Sequence, residues 1–194
     1  MIRGDSSEYD LLEKWSKFDA QGYKTCEIGV REGLGSKIIM DNIRNNYIHV
    51  GVDPYGDLEY QHVDNQEHCT WEGFEKGVAP TYPDTMRDTL LYDMMPYRKQ
   101  AKFTLCNMTD TDFMEVSKHK DSKFAFVHFD GPHTTRAVST EAIWFANHSA
   151  PITRFVFDDW QNYDMALIAR LLEYYDFRVR ESGKNKCLLV KGDK

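Results

Sequence analysis

Between Thr25 and Asp53 the chain alternates in a way that few folds accommodate. Thr25-Cys-Glu-Ile-Gly-Val is a short apolar strand carrying one acid, Glu27, into a loop with glycines at 29, 33 and 35. Ser36 then opens an apolar-periodic helix to about residue 45, and Tyr47-Ile-His-Val-Gly-Val-Asp53 is a second buried-looking strand that ends in an acid. A loop without side chains lets a ligand press against backbone, and a helix N-terminus presents unpaired N–H groups. Strand, glycine loop, helix, strand and acid together predict a site for a ribose-bearing cofactor.

The loop spacing chooses among such cofactors. A dinucleotide fingerprint reads G-x-G-x-x-G, whereas this loop reads G-x-x-x-G-x-G with Glu27 two residues before the first glycine. A carboxylate there opposes a pyrophosphate and suits a cationic ligand. S-adenosylmethionine, with a sulfonium, an amino group and no phosphate, is the expected cofactor. The alternatives are a nicotinamide or flavin, as in an NAD-dependent dehydrogenase, and a structural turn without ligand. The dehydrogenase lacks a Tyr-x-x-x-Lys pair and a phosphate loop.

Composition narrows the class. A chain of 194 residues, 41% hydrophobic and 28% charged, predicts a single domain over 1–194 with a full core. The net charge of −7 and the lack of a Lys/Arg run argue against nucleic acid as partner. No apolar leader and no stretch near 18 apolar residues are present, so a cytoplasmic protein without membrane contact is expected. The four cysteines show no C-x-x-C spacing, which points to reduced thiols.

The rest of the chain repeats the strand–helix rhythm. Residues 6–20 predict a leading helix with Leu11, Trp15 and Phe18 on one face. Residues 57–81 are aperiodic and polar with scattered aromatics, and read either as a lid over the acceptor site or as an idle insertion. His62, His68 and Cys69 in that stretch fit no metal-ligand template. A helix is predicted over 83–97, a third strand over 102–108, a helix over 109–118, and a fourth strand, apolar on both faces, over 124–130. His49 and His128 lie within strands and read as satisfied core residues. A helix to about Asn147, a fifth strand over 152–157, a helix over 164–175 and a hairpin across Ser-Gly-Lys-Asn complete the pattern. The prediction is a doubly wound, mostly parallel α/β sheet of seven strands, with helices on both faces and a C-terminal antiparallel hairpin. Ligands bind beyond the carboxyl ends of such strands, where Gly29, Asp53, Asn107, Asp130 and Asp158-Asp159 collect.

With those residues in place the chain resembles the Rossmann-like class I S-adenosylmethionine-dependent methyltransferases over nearly its whole length. Within them it is most similar to the small-molecule group of macrocin and macrolide-sugar O-methyltransferases. The likeness rests on Glu27-Ile-Gly29, Asp53, Asp130-Gly-Pro-His133 and Asp158-Asp159, four motifs in order at successive strand ends. It implies that Glu27 and Gly29 face the methionine part, Asp53 binds the ribose, and Asn107 and Met108 lie at the adenine, with Gly33 and Asp130 also binding the cofactor. It implies further that Asp130, Asp158 and Asp159 hold a divalent cation, magnesium by its preference for oxygen ligands, and that His133, with Asp130, serves catalysis as the base. Bland readings stand beside these: Asp158 capping a turn with Asp159 solvated, and His133 a surface loop residue. The implied reaction is O-methylation of a small-molecule hydroxyl. A hydroxylase-like relative and a non-catalytic cofactor-binding protein on the same fold are the alternatives. An amino-methyltransferase of nucleic acids would show Asn/Asp-Pro-Pro-aromatic where Asp130-Gly-Pro-His133 stands. The acceptor and the oligomeric state are not legible in the sequence.

Overall fold

The computed structural model describes residues 2–4, 6–46, 48–56, 61–65, 84–119 and 121–192. Most of the proposed lid, with His68 and Cys69, lies outside them. Seven strands form one sheet: β1 (Lys24–Ile28), β2 (His49–Val52), β3 (Phe103–Cys106), β4 (Phe124–Phe129), β5 (Ser149–Phe157), β6 (Arg178–Ser182) and β7 (Cys187–Lys191). Their order is β3-β2-β1-β4-β5-β7-β6. Pairings from β3 through β5 are parallel, and β7 runs antiparallel between β5 and β6. The expected fold class is borne out, and β7 is the reversed strand.

Among the described residues, seven α-helices flank the sheet: α1 (Tyr9–Ser16), α2 (Leu34–Asn42), α3 (Asp84–Asp93), α4 (Met95–Lys99), α5 (Asp110–Val116), α6 (Thr135–Asn147) and α7 (Met165–Glu173). Strand residues alternate between two cores because side chains alternate across a strand. Cys26, Ile28, Val127 and Phe129 point to the face covered by α5, α6 and α7. Phe126, Val156 and Leu188 point to the face covered by α1 and α2. The first core is aromatic: Phe129 stacks on Phe157 at 4.6 Å, and Phe155 on Phe177 at 4.3 Å. Full burial of such a side chain contributes about 1.5–3 kcal/mol, so this layer fixes β4, β5 and α6 firmly.

Helix ends follow local chemistry. The Thr109, Thr134 and Asp164 side chains accept N–H bonds from Asp112, Ala137 and Leu167, capping α5, α6 and α7. Several boundaries differ from expectation: α1 is shorter than 6–20, α2 ends at Asn42, β5 starts at Ser149, and two further differences follow from local chemistry. The helix of residues 83–97 is two pieces, with Pro96 inside the first turn of α4. α2 starts two residues before Ser36, with Gly33 in the left-handed conformation as its cap. Ser36 is therefore a buried residue of the first turn, held by Glu27.

Candidate active site

The parallel strands deliver their carboxyl ends to one rim, and β1 sets the spacing there. Gly29 has φ +81°, and a Cβ on it would sit 2.0 Å from the Asp130 carbonyl oxygen. Only glycine lets the exits of β1 and β4 approach so closely. Asp53, at the end of β2, ties the loop from the other side: its Oδ2 accepts the Val30 N–H at 3.0 Å and the Arg31 N–H at 2.8 Å. Its Oδ1 is buried and has no hydrogen-bond partner among the described residues. Burial pushes the Asp53 carboxyl up to about 6, against the two N–H bonds that favour its charge.

A cleft with about 890 Å³ of empty space opens between these ends, lined among others by Glu27, Gly29, Asp53, Thr109, Asp130 and Pro132. Arg3, Tyr9, Arg31 and His62 also reach it. Four of the expected cofactor residues, Glu27, Gly29, Asp53 and Asp130, are thus brought together. Three are not. Gly33 is turned away, facing Leu90 of α3 and Met94 at the junction with α4. Asn107 is exposed, and Met108 packs on the aromatic core. Thr109 and Asp110 line the cleft instead, one turn further along the same segment.

Glu27 belongs to a polar row that crosses the sheet beneath the cleft. Register pairs Glu27 with His128, and the two meet at 2.8 Å between Oε1 and Nδ1. Ser36 Oγ donates to the other Glu27 oxygen, and His49 bonds Ser36 Oγ at 2.9 Å and Thr25 Oγ1 at 2.8 Å. His49 and His128 are satisfied core histidines, as their strand positions suggested. On the far side, His128 Nε2 lies 3.3 Å from Lys186 Nζ, and Lys186 pairs with Asp158 at 2.7 Å. Ser6 Oγ hydrogen-bonds Asp158 as well. Lys186 and Asp158 are both buried.

Asp130 and Asp158 shift in opposite directions. Burial raises both, but the Lys186 charge, with His128 and the hydrogen bonds, holds Asp158 at about 2. Burial and the Asp158 charge drive Asp130 well above the usual carboxylate range.

His133 sits behind this pair. Its ring is 2% exposed, with Nε2 3.8 Å from Asp130 and Nδ1 3.7 Å from Asp159. Neither nitrogen makes a hydrogen bond among the described residues. Burial, and then the neighbouring His62, lower its pKa to about 3, so the ring is neutral at pH 7. His62 meets it edge-on at 4.8 Å between centroids, and the His133 backbone N–H donates to the His62 backbone carbonyl at 2.6 Å. Asp64 accepts the N–H and hydroxyl of Thr135, so residues 61–65 dock on the start of α6. The surface-loop reading of His133 is excluded by this burial.

A divalent ion does not fit the three aspartates as arranged. Asp158 already has a cation, the Lys186 ammonium, and the Asp159 carboxylate is turned toward His133. Among the described residues the ligand-type groups close enough to share an ion are Glu27, His128 and Asp130. His128 has no lone pair to give there: its Nε2 accepts from Lys186, which leaves Nδ1 as the donor to Glu27. Sequence reasoning missed Lys186, Tyr9 and the role of His62. Lys186 carried no motif, and its partner is found only through strand pairing.

A family model described as a methyltransferase domain matches residues 26–160. No curated protein sequence matches. Among solved structures, the chain is similar to a proposed rRNA methylase from Clostridium thermocellum, with 8% identity, a TM-score of 0.61, and 97% of this chain and 96% of that one covered. It is similar to the O-methyltransferase TomG from Streptomyces achromogenes, involved in tomaymycin synthesis and solved with S-adenosylmethionine, at 12% identity and a TM-score of 0.57, covering 98% and 81%. An O-methyltransferase from Bacillus cereus, solved with S-adenosylhomocysteine, matches at 10% identity and a TM-score of 0.55, covering 97% and 82%. These likenesses concern the fold. The family match runs from the first strand past the Asp158-Asp159 rim, and by it the chain belongs to the methyltransferase-domain family.

Proposed function

We propose that the protein transfers a methyl group from S-adenosylmethionine to a hydroxyl of a small molecule, the whole chain acting as one methyltransferase domain. The observation that carries the cofactor is Asp53: a buried carboxylate on the cleft wall with one oxygen spent on the glycine loop and the other without a partner among the described residues. A buried acceptor left unsatisfied costs about 1–3 kcal/mol, and a ribose hydroxyl would satisfy it. Glu27 and Asp130 suit the cofactor's ammonium and sulfonium, and Arg3 and Arg31 its carboxylate. Bound there, S-adenosylmethionine supplies an electrophilic methyl group.

The chain's own residues then position an acceptor and move its proton. His133 is the proposed base: it is neutral, neither nitrogen is engaged, and Asp159 at 3.7 Å would stabilise the imidazolium formed. His133 directly follows Pro132 of the cleft wall in the chain, so the proposed acceptor would approach it from the cleft. Divalent assistance is left out of this reading because Lys186 already neutralises Asp158. A small-molecule acceptor is favoured over nucleic acid by the net charge of −7.

Calorimetric titration with S-adenosylhomocysteine and with NAD tests the cofactor. Binding of the first and not the second is expected; tighter binding of NAD would sink the proposal. Methyl-transfer assays on a panel of hydroxylated small molecules, with structured RNA alongside, test the acceptor class, and transfer to RNA alone would overturn it.

A further inference from the structure

We propose that Lys186 is the resident cation of the carboxylate cluster at the ends of β4 and β5, a positioning residue that makes a divalent ion unnecessary there. The inference rests on the cleft being a methyltransferase site but concerns how its charges are balanced. Register explains the placement. β5 pairs with β7 through Val156–Leu188 and Phe157–Cys187, so the next step outward sets Asp158 opposite Lys186. Residues two apart share a face, which puts the Lys186 side chain on the same side as Leu188, beneath the cleft.

The contacts around the ammonium are complete. Its three N–H groups face Asp158 Oδ1 at 2.7 Å, Ser6 Oγ at 2.9 Å and His128 Nε2 at 3.3 Å. The Tyr9 ring lies 5.6 Å from Nζ and closes the fourth side. A lysine with 0% exposure and all three donors engaged is fixed, not a mobile surface charge. The bond to Asp158 sets a positive charge directly against the carboxylate at the end of β5, next to Asp130 on the cleft wall. Through His128 the same ammonium reaches Glu27, also on the cleft wall. One positive charge thus orders the acids that face the ligand, which is the service a metal ion gives where carboxylates converge. The tethers are also in place: Glu8 accepts the backbone N–H groups of Lys184, Asn185 and Lys186 at 2.7–2.9 Å, which pins the turn that presents the ammonium.

The test removes the charge and asks whether the cluster now takes a metal. Protein stripped with EDTA is titrated with Mn²⁺, followed by electron paramagnetic resonance and by thermal melting, for wild type, Lys186→Met, Lys186→Arg and the double variant Lys186→Met/Asp158→Asn. Wild type and Lys186→Arg are expected to bind no Mn²⁺ at the cluster. Lys186→Met is expected to bind one ion at least tenfold more tightly than wild type and to melt higher when it does; the double variant should lose that binding. Recovery of folded Lys186→Met only with Mn²⁺ present would support the proposal equally. Stoichiometric Mn²⁺ binding by wild type, abolished in Asp158→Asn, would overturn it, and so would a folded Lys186→Met whose Mn²⁺ affinity and melting match wild type. If Lys186→Met is not recovered under any condition, the wild-type titration decides alone. S-adenosylhomocysteine binding by wild type in EDTA is measured separately, and its failure would fall on the methyltransferase reading rather than on Lys186.

Discussion

Asp53 is tied to the backbone by one oxygen and presents the other to the cleft. It holds Val30 and Arg31 in the glycine loop, and Oδ1, without a partner among the described residues, is where the proposed cofactor's ribose would bind. Asp53→Ala should weaken S-adenosylhomocysteine binding by about 1–3 kcal/mol, the cost of a charged hydrogen bond, read by calorimetry. The pH dependence has a definite sign. Its folded pKa of about 6 lies above the ordinary 3.8, so the native state takes up a proton in that window before the unfolded chain does. The stability this confers is complete below about 3.8 and is lost as pH rises through about 6. In urea denaturation, wild type should therefore gain on Asp53→Asn between pH 7 and pH 4.5; a constant gap would remove the raised pKa. At His133, replacement by Ala should lower kcat by roughly 10²–10⁴ with S-adenosylhomocysteine affinity unchanged, the range for a lost general base. An unchanged kcat would leave the ring a packing role against His62 and Tyr163.

Elements decide which of these residues could be read from sequence. Glu27, Gly29, Asp53 and Asp130 were legible because each ends a parallel strand, and parallel strands send their ends to one rim whatever their register. Asn107, Met108 and Gly33 lie off the cleft wall, since a loop's exit direction is set by what packs beneath it: Met108 follows the aromatic core, and Gly33 follows Leu90. Lys186 was not legible at all. Its meeting with Asp158, 28 positions earlier, depends on β7 inserting antiparallel beside β5, and a shift of one residue would have sent it to the other face. The turn before β7 is correspondingly well anchored. Glu8→Ala removes three N–H acceptors at Lys184, Asn185 and Lys186. The expected loss is about 1–2 kcal/mol, modest because the freed amides can reach water. Faster hydrogen exchange at 184–186, with β4 unchanged, would show that the loss is local. Uniform loosening would point to a wider role for the N-terminal segment.

At the scale of the whole molecule, the sheet separates labour between its two faces and its rim. The aromatic layer under α5, α6 and α7 supplies stability, while the other face carries a polar row from His49 to Asp158 under the cleft. The N-terminal segment closes over that row: Arg3 O accepts the Leu34 N–H at 3.1 Å, and Ser6 bridges Asp158 and Lys186. Among the described residues no helix is long and apolar enough to cross a membrane. Because the cleft walls come from β1, β2, β4 and the N-terminal segment together, a ligand seated there should tighten the entire sheet rather than one loop. Binding to the native state alone stabilises by RT ln(1 + [L]/Kd), about 2.7 kcal/mol at a hundredfold excess over Kd. For a chain of this size each kcal/mol moves Tm by about 2–4 °C, so S-adenosylhomocysteine at that excess should raise Tm by roughly 5–10 °C. The same concentration of NAD, or magnesium alone, should leave Tm where it was. Asp53→Ala should need a correspondingly higher S-adenosylhomocysteine concentration for the same shift. A rise with NAD but not with S-adenosylhomocysteine would mean that the glycine loop cradles a pyrophosphate, and Glu27 would then have to be held neutral by Ser36 and His128.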